Sequence, residues 1–86
     1  MSTRQMIYPE KMGCQLPAVA VRDISGARLQ PEIIRAYVML AVDYARRRPN
    51  ANFEVQADGW GYDRKVIAPM FDHCPDNIRL PYGFIY

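Results

Sequence analysis

The apolar positions of this chain change period along its length. Leu16-Pro17-Ala18-Val19-Ala20-Val21-Arg22-Asp23 is a short apolar run, β-branched at alternate positions and closed by Ser25-Gly26. It predicts a buried strand over 16–23. From Ile33 the period lengthens. Ile33, Ile34, Tyr37, Val38, Leu40, Ala41, Tyr44 and Ala45 fall on one broad face at helical spacing, which predicts a helix to about Arg48. Gln30-Pro31-Glu32 opens it, with proline suited to the first helical position and an acid in the first turn, and Pro49-Asn50 stops it. Arg35, Asp43 and Arg46 lie opposite the apolar face, but so do Met39 and Val42. Two readings of that pair stay open: ordinary surface residues, or contact with a second partner.

The pattern then shortens again. Residues 52–57 alternate, with Phe53, Val55 and Ala57 on one face, and predict a second strand. Gly59-Trp60-Gly61 follows as a turn, and Asp63 is a good N-cap for a second helix through about Cys74. Pro69 lies inside that helix, so a kink or an irregular first turn is expected. Pro75-Asp76-Asn77 ends it, and 78–80 makes a third short strand. The apolar tail, 81–86, should pack on the body of the domain. The order β-α-β-α-β defines a small α/β domain with a mainly parallel three-stranded sheet and right-handed crossovers. Residues 4–8 are a candidate fourth strand. A sheet this small leaves edges that call for pairing or coverage.

With 86 residues, the chain fits one domain, 1–86. Half of the residues are hydrophobic and 23% are charged, a globular balance. A domain of this size buries only about 60–65% of the surface its unfolded chain exposes, so the margin is thin and a homodimer is expected. Eleven Lys and Arg against nine Asp and Glu give a net charge of +2, far from the dense field of a nucleic-acid binder. Arg46-Arg47-Arg48 reads first as cations that complement the helix dipole and the last free carbonyls, and only second as a phosphate patch. No apolar leader or membrane-length stretch is evident, which makes a cytoplasmic location the expectation. Cys14 and Cys74 are far apart, form no metal-spaced set and are expected to remain thiols. His73 adjoins Cys74, but neighbours on a helix point about 100° apart, so they read as buried or half-buried helix residues rather than a catalytic pair. Asp58, Asp63, Asp72 and His73 are the available acid–base groups. No nucleophile–base spacing or metal set accompanies them, and carboxylates beside turns are more often caps. No enzyme, cofactor or metal is expected.

Phe53-x-Val55-x-x-x-Gly59-x-Gly61, then Ile67-Ala68-Pro69-Met70-Phe71 and Cys74-Pro75-Asp76-Asn77, resembles the C-terminal half of a family of uncharacterised small phage and prophage proteins. That family is in turn similar to macro domains, which bind ADP-ribose. The resemblance runs from about Gly13 through Pro81, and the Ile-Ala-Pro-Met-Phe block is its most specific part. It implies that Gly59-Trp60-Gly61 lies at the carboxyl end of a strand, where backbone N–H groups of the family contact a diphosphate. Relative to the family, the glycine-rich N-terminal half has no counterpart and the turn is shorter. Trp60 replaces a small residue, and Asp58 and Asp63 place carboxylates beside a site meant for an anion. At close range these charges outweigh a helix-end preference of roughly 0.3–1 kcal/mol.

Two functions follow as expectations. The first is a non-enzymatic, phage-type binding protein that acts by protein–protein contact, with a host protein or complex as partner. An inhibitor of a host defence complex, such as an anti-CRISPR protein in the host cytoplasm, is one form of it. Trp60, Tyr62, Arg64, Tyr82, Phe84 and Tyr86 would be its anchors, since Trp, Tyr and Arg carry most interface hot spots. The alternative is a small nucleotide or ADP-ribose-like ligand binder, a sequestering dimer. It would use Gly59, Trp60, Gly61, Asp63 and Arg64, with Trp60 stacked on a base.

Overall fold

The computed structural model describes residues 4–84. Its elements in chain order are strands β1 (Arg4–Ile7), β2 (Pro9–Lys11) and β3 (Val19–Arg22), helix α1 (Pro31–Arg46), strand β4 (Asn52–Val55), helix α2 (Arg64–Ile67) and strand β5 (Ile78–Arg79). Single 3-10 turns, Ala68–Phe71 and Tyr82–Phe84, follow α2 and β5.

The parallel three-stranded sheet is present, in the order β1-β4-β5, but one of its strands differs from expectation. The run around 18–21 is a strand, yet it pairs in parallel with β2 in a ladder of its own. The N-terminal segment joins the two ladders at Tyr8. Gln56 N–H donates to Ile7 O and Val19 N–H donates to Tyr8 O, each at 2.8 Å. Across the molecule the order is therefore β3, the N-terminal segment, β4, β5, all parallel. Parallel neighbours normally need a crossover of a dozen or more residues, but β2 and β3 are so short that the chain returns by only about 10 Å. Residues 12–18 cover that distance without a helix.

Burial alternates along β4, while in β3 Val19, Ala20 and Val21 are all buried. Ile7, Val19, Val21, Phe53, Val55 and Ile78 point inward, while Arg4, Met6, Glu54 and Arg79 lie on the opposite face. Helix α1 covers the inner face with Ile34, Val38, Ala41 and Ala45, one stripe in steps of four, three and four. The two alanines let the helix approach the sheet closely. Val42, expected outside, packs partly against the core, whereas Leu40 and Ile33, expected inside, are largely exposed. The apolar stripe is thus narrower than the sequence face suggests. The domain is a slab 18 Å thick, one helical layer on one sheet.

The second helix is shorter than expected. Asp63 caps α2, its carboxylate accepting from Lys65 N–H at 3.4 Å. Pro69 lacks the N–H that would continue the ladder and its ring crowds the preceding turn, so the chain tightens into the 3-10 turn Ala68–Phe71. Asp72 is already extended and His73 has φ 62°, a left-handed position after the turn. His73 is exposed and non-helical, which removes the helical setting expected for it and Cys74.

Asn77 closes the amino end of the sheet. Its Nδ2 donates to Ala45 O at 2.8 Å, Arg48 O at 2.9 Å and Ala51 O at 3.1 Å. Two amide hydrogens serve three carbonyls, so at least one is shared. One side chain thereby ties the end of α1, the following turn and the start of β4 to β5. At the same place Arg48 donates to Tyr44 O at 3.0 Å and stacks its guanidinium 3.6 Å over the Tyr44 ring. Arg47 pairs with Asp43 at 3.1 Å. These two arginines of the basic run complement their own helix.

Candidate functional site

The chain leaves the N-terminal segment toward β3 on one side, and α1 carries it back across to β4 on the other. The carboxyl ends of β1 and β4 therefore bound the point where connections diverge, the usual ligand position of open α/β sheets. Residues 56–64 fill that point.

Gly59 and Gly61 hold φ of 92° and 77°, a left-handed conformation that side chains disfavour. Gly59 also abuts Pro9: a Cβ built on it would lie 3.2 Å from Pro9 Cγ. These two positions reverse the chain and turn Trp60 inward. The indole is only 3% exposed, and Nε1–H donates to Gln56 O at 2.7 Å. Its ring meets Phe71 edge to face, centroids 5.9 Å apart. Gln56 also braces the turn from its other end, donating from Nε2 to Asp58 O at 2.9 Å. Trp60 is a core residue. As an interface anchor or a stacking lid it is corrected, because a ring at 3% exposure has no free face to offer.

Phe84 is corrected on the same ground: it is 3% exposed and packs against Phe71 at 6.4 Å. Tyr62 is half-buried, its hydroxyl donating to Leu29 O at 2.7 Å and its ring covered by Arg28 at 5.0 Å. It fastens the segment after β3 to the turn. Arg64 opens α2 and is exposed. Tyr82, two residues before Phe84, is 95% exposed. Tyr86 lies outside the described residues.

Outside the buried indole lies a depression of about 350 Å³. All five residues of the ligand reading, Gly59, Trp60, Gly61, Asp63 and Arg64, line it, as do Asp58 and Phe84. Their convergence is real, but their chemistry differs from a diphosphate cradle. Asp63 places its carboxylate on the Lys65 amide that an anion would need. Helix α2 is a single turn, too short to build a substantial dipole.

The remaining titratable groups are dispersed. Burial, reinforced by the negative charges of Asp72 and Asp76, pushes the Cys74 thiol up and keeps it protonated at neutral pH. Cys14 is exposed and both cysteines are free. Among the described residues, no group of three or more His, Cys, Asp and Glu side chains is placed to hold a metal. No described helix is long and apolar enough to cross a membrane.

Sequence reasoning missed two supports, one at each end of the sheet. Arg28 and Leu29 carried no motif, and their contact with Tyr62 spans more than thirty positions of sequence. Asn77 was read only as a helix stop; nothing local signals that it binds three carbonyls from 45 to 51. The chain matches no protein-family model, no curated protein and no solved structure.

Proposed function

We propose that this chain is a non-enzymatic binding protein that engages a protein partner through the carboxyl end of its sheet. The observation that carries the reading is the exposure of Tyr82, 95%, on a 3-10 turn anchored by the buried Phe84. An aromatic ring held out on a fixed backbone loses little entropy when a partner covers it. Arg64 on the rim of the adjacent depression adds a second residue of the type that dominates interfaces. Trp60 and Phe84, corrected as contacts, serve here as the rigid floor.

The resemblance to phage proteins directs the first search for a partner to bacterial defence complexes. Immobilised chain exposed to lysate from bacteria carrying such systems should retain one partner in stoichiometric amount. A Tyr82→Ala, Arg64→Glu double variant should lose that partner while melting at the wild-type temperature, since both side chains are exposed. Retention of no stoichiometric partner, or equal retention by the variant, overturns the reading.

The nucleotide reading keeps one favourable observation, the depression at the carboxyl ends of the strands. It requires ADP-ribose or a cyclic nucleotide at millimolar concentration to raise the melting temperature. Absence of any shift across such a panel removes it.

A further inference from the structure

The outer side of α1 carries Met39 and Leu40, 63% and 53% exposed, side by side halfway along the helix. Glu32 stands in its first turn and Arg47 just past its end. The midpoint between positions 32 and 47 falls between Met39 and Leu40. An acid, an apolar centre and a base thus follow one another along the outer half of the helix at equal spacing, so the surface is complementary to itself when reversed.

We infer that α1 packs antiparallel against α1 of a second copy of this chain, about a two-fold axis beside Met39 and Leu40. An isologous contact requires that whatever one copy presents, the other receives. The axis sets Glu32 level with Arg47 of the second copy, twice over, and brings the two Met39–Leu40 pairs together. Arg47 is already held by Asp43 at 3.1 Å, so a second carboxylate completes a three-charge chain rather than ordering a free side chain.

The same axis disposes of another exposed residue. Positions 33, 40, 44 and 47 share one flank of the helix, because steps of seven, four and three residues return to nearly the same side. A two-fold perpendicular to the helix keeps that flank on the same side in both copies. Position 33 of one copy then lies level with position 46 of the other. On that flank, Leu16, Leu40, Asp43, Tyr44, Arg47 and Arg48 line a groove of about 460 Å³. Ile33, 44% exposed, falls against it. The charges, the apolar centre and the groove, which shares Leu40 and Arg47 with the other two, are satisfied by one axis. The surface is separate from the one proposed above for a partner, and neither inference depends on the other.

Sedimentation equilibrium of the full chain from about 1 µM to 1 mM tests it. The wild type should pass from monomer to dimer, and Leu40→Glu should remain monomeric, with the wild-type melting curve at about 1 µM, where both are monomers. Glu32→Arg and Arg47→Glu should each weaken dimerisation at least about tenfold, since each sets like charges level across the axis. Mixed in equal amounts they should recover the dimer, because the swapped charges again oppose their complements. A wild type that stays monomeric throughout overturns the inference. So does a dimer indifferent to Leu40→Glu, or a mixture of the two folded charge variants that recovers nothing.

Discussion

The two ends of the sheet are closed by different means. At the carboxyl end the closing group is Trp60, a large ring that fills space and makes a single hydrogen bond, to Gln56 O. At the amino end it is Asn77, a small amide that fills little space and serves three carbonyls. The first end is held by packing and the second by polar satisfaction. The consequence shows on the outside. The depression over the ring and its turn of two left-handed glycines is about 350 Å³, whereas the one beside the amide, which draws three segments together, is about 170 Å³. A carboxyl end built in this way can change its outer residues without losing its closure, which is the property a binding surface needs.

Removing each closure tests the contrast, and the largest effect belongs to the ring. Trp60→Ala should cost about 3–5 kcal/mol in urea unfolding, the cost of emptying a large core site. Trp60→Phe, which keeps most of the ring but leaves Gln56 O without its donor, should cost about 1–3 kcal/mol. If Trp60→Ala costs under about 1 kcal/mol, packing is not what holds this end.

Asn77→Ala comes next. It removes the side-chain donor from the carbonyls of 45, 48 and 51, of which 45 and 48 keep a backbone N–H, and should cost about 1–3 kcal/mol. The sharper comparison is Asn77→Asp, nearly the same shape, which presents oxygens to oxygens and should be at least as damaging at pH 7. Equal stability of Asn77→Asp and wild type would place the closure in shape, as at the other end.

The smallest effect concerns the turn after β3. Asp23 accepts from Ser25 Oγ at 2.6 Å and from Ala27 N–H at 2.9 Å, and these bonds hold its carboxyl below the ordinary value of 3.8. The folded value lies below the unfolded one, so the stabilisation is present above pH 3.8 and lost as pH falls through the lowered value. The group is exposed, so the effect is small. Asp23→Asn should slightly lower stability at neutral pH and flatten the acid limb of the pH profile. An unchanged acid limb would show that Asp23 does not contribute to it.

How far the sequence could be read depended on whether the causes were local. Pro31 at the start of α1, Asp63 as the cap of α2, and the alternation of Phe53 and Val55 each act within a few residues, and each is found where its chemistry requires it. The partition of the apolar stripe on α1 was less legible. Leu40 and Val42 differ little in hydropathy, and only the position of the sheet decides that Val42 packs against the core and Leu40 does not. The site divided in the same way. Local chemistry marked 59–64 as a turn at the end of a strand. Whether Trp60 faced solvent or core depended on Gln56 and Phe71, and on how closely Gly59 meets Pro9.

The sequence by itself determined the class of the domain, the ends of its long helix and the location of its turn. Those follow from hydrophobic period, caps and backbone-restricted residues, all short-range in their physics. Only the tertiary structure decided that the N-terminal segment, rather than 18–23, stands beside β4, that Asn77 ties three segments, and that Trp60 is buried while Tyr82 is exposed. These outcomes rest on pairings between positions far apart along the chain, where a residue's partner is set by the fold as a whole.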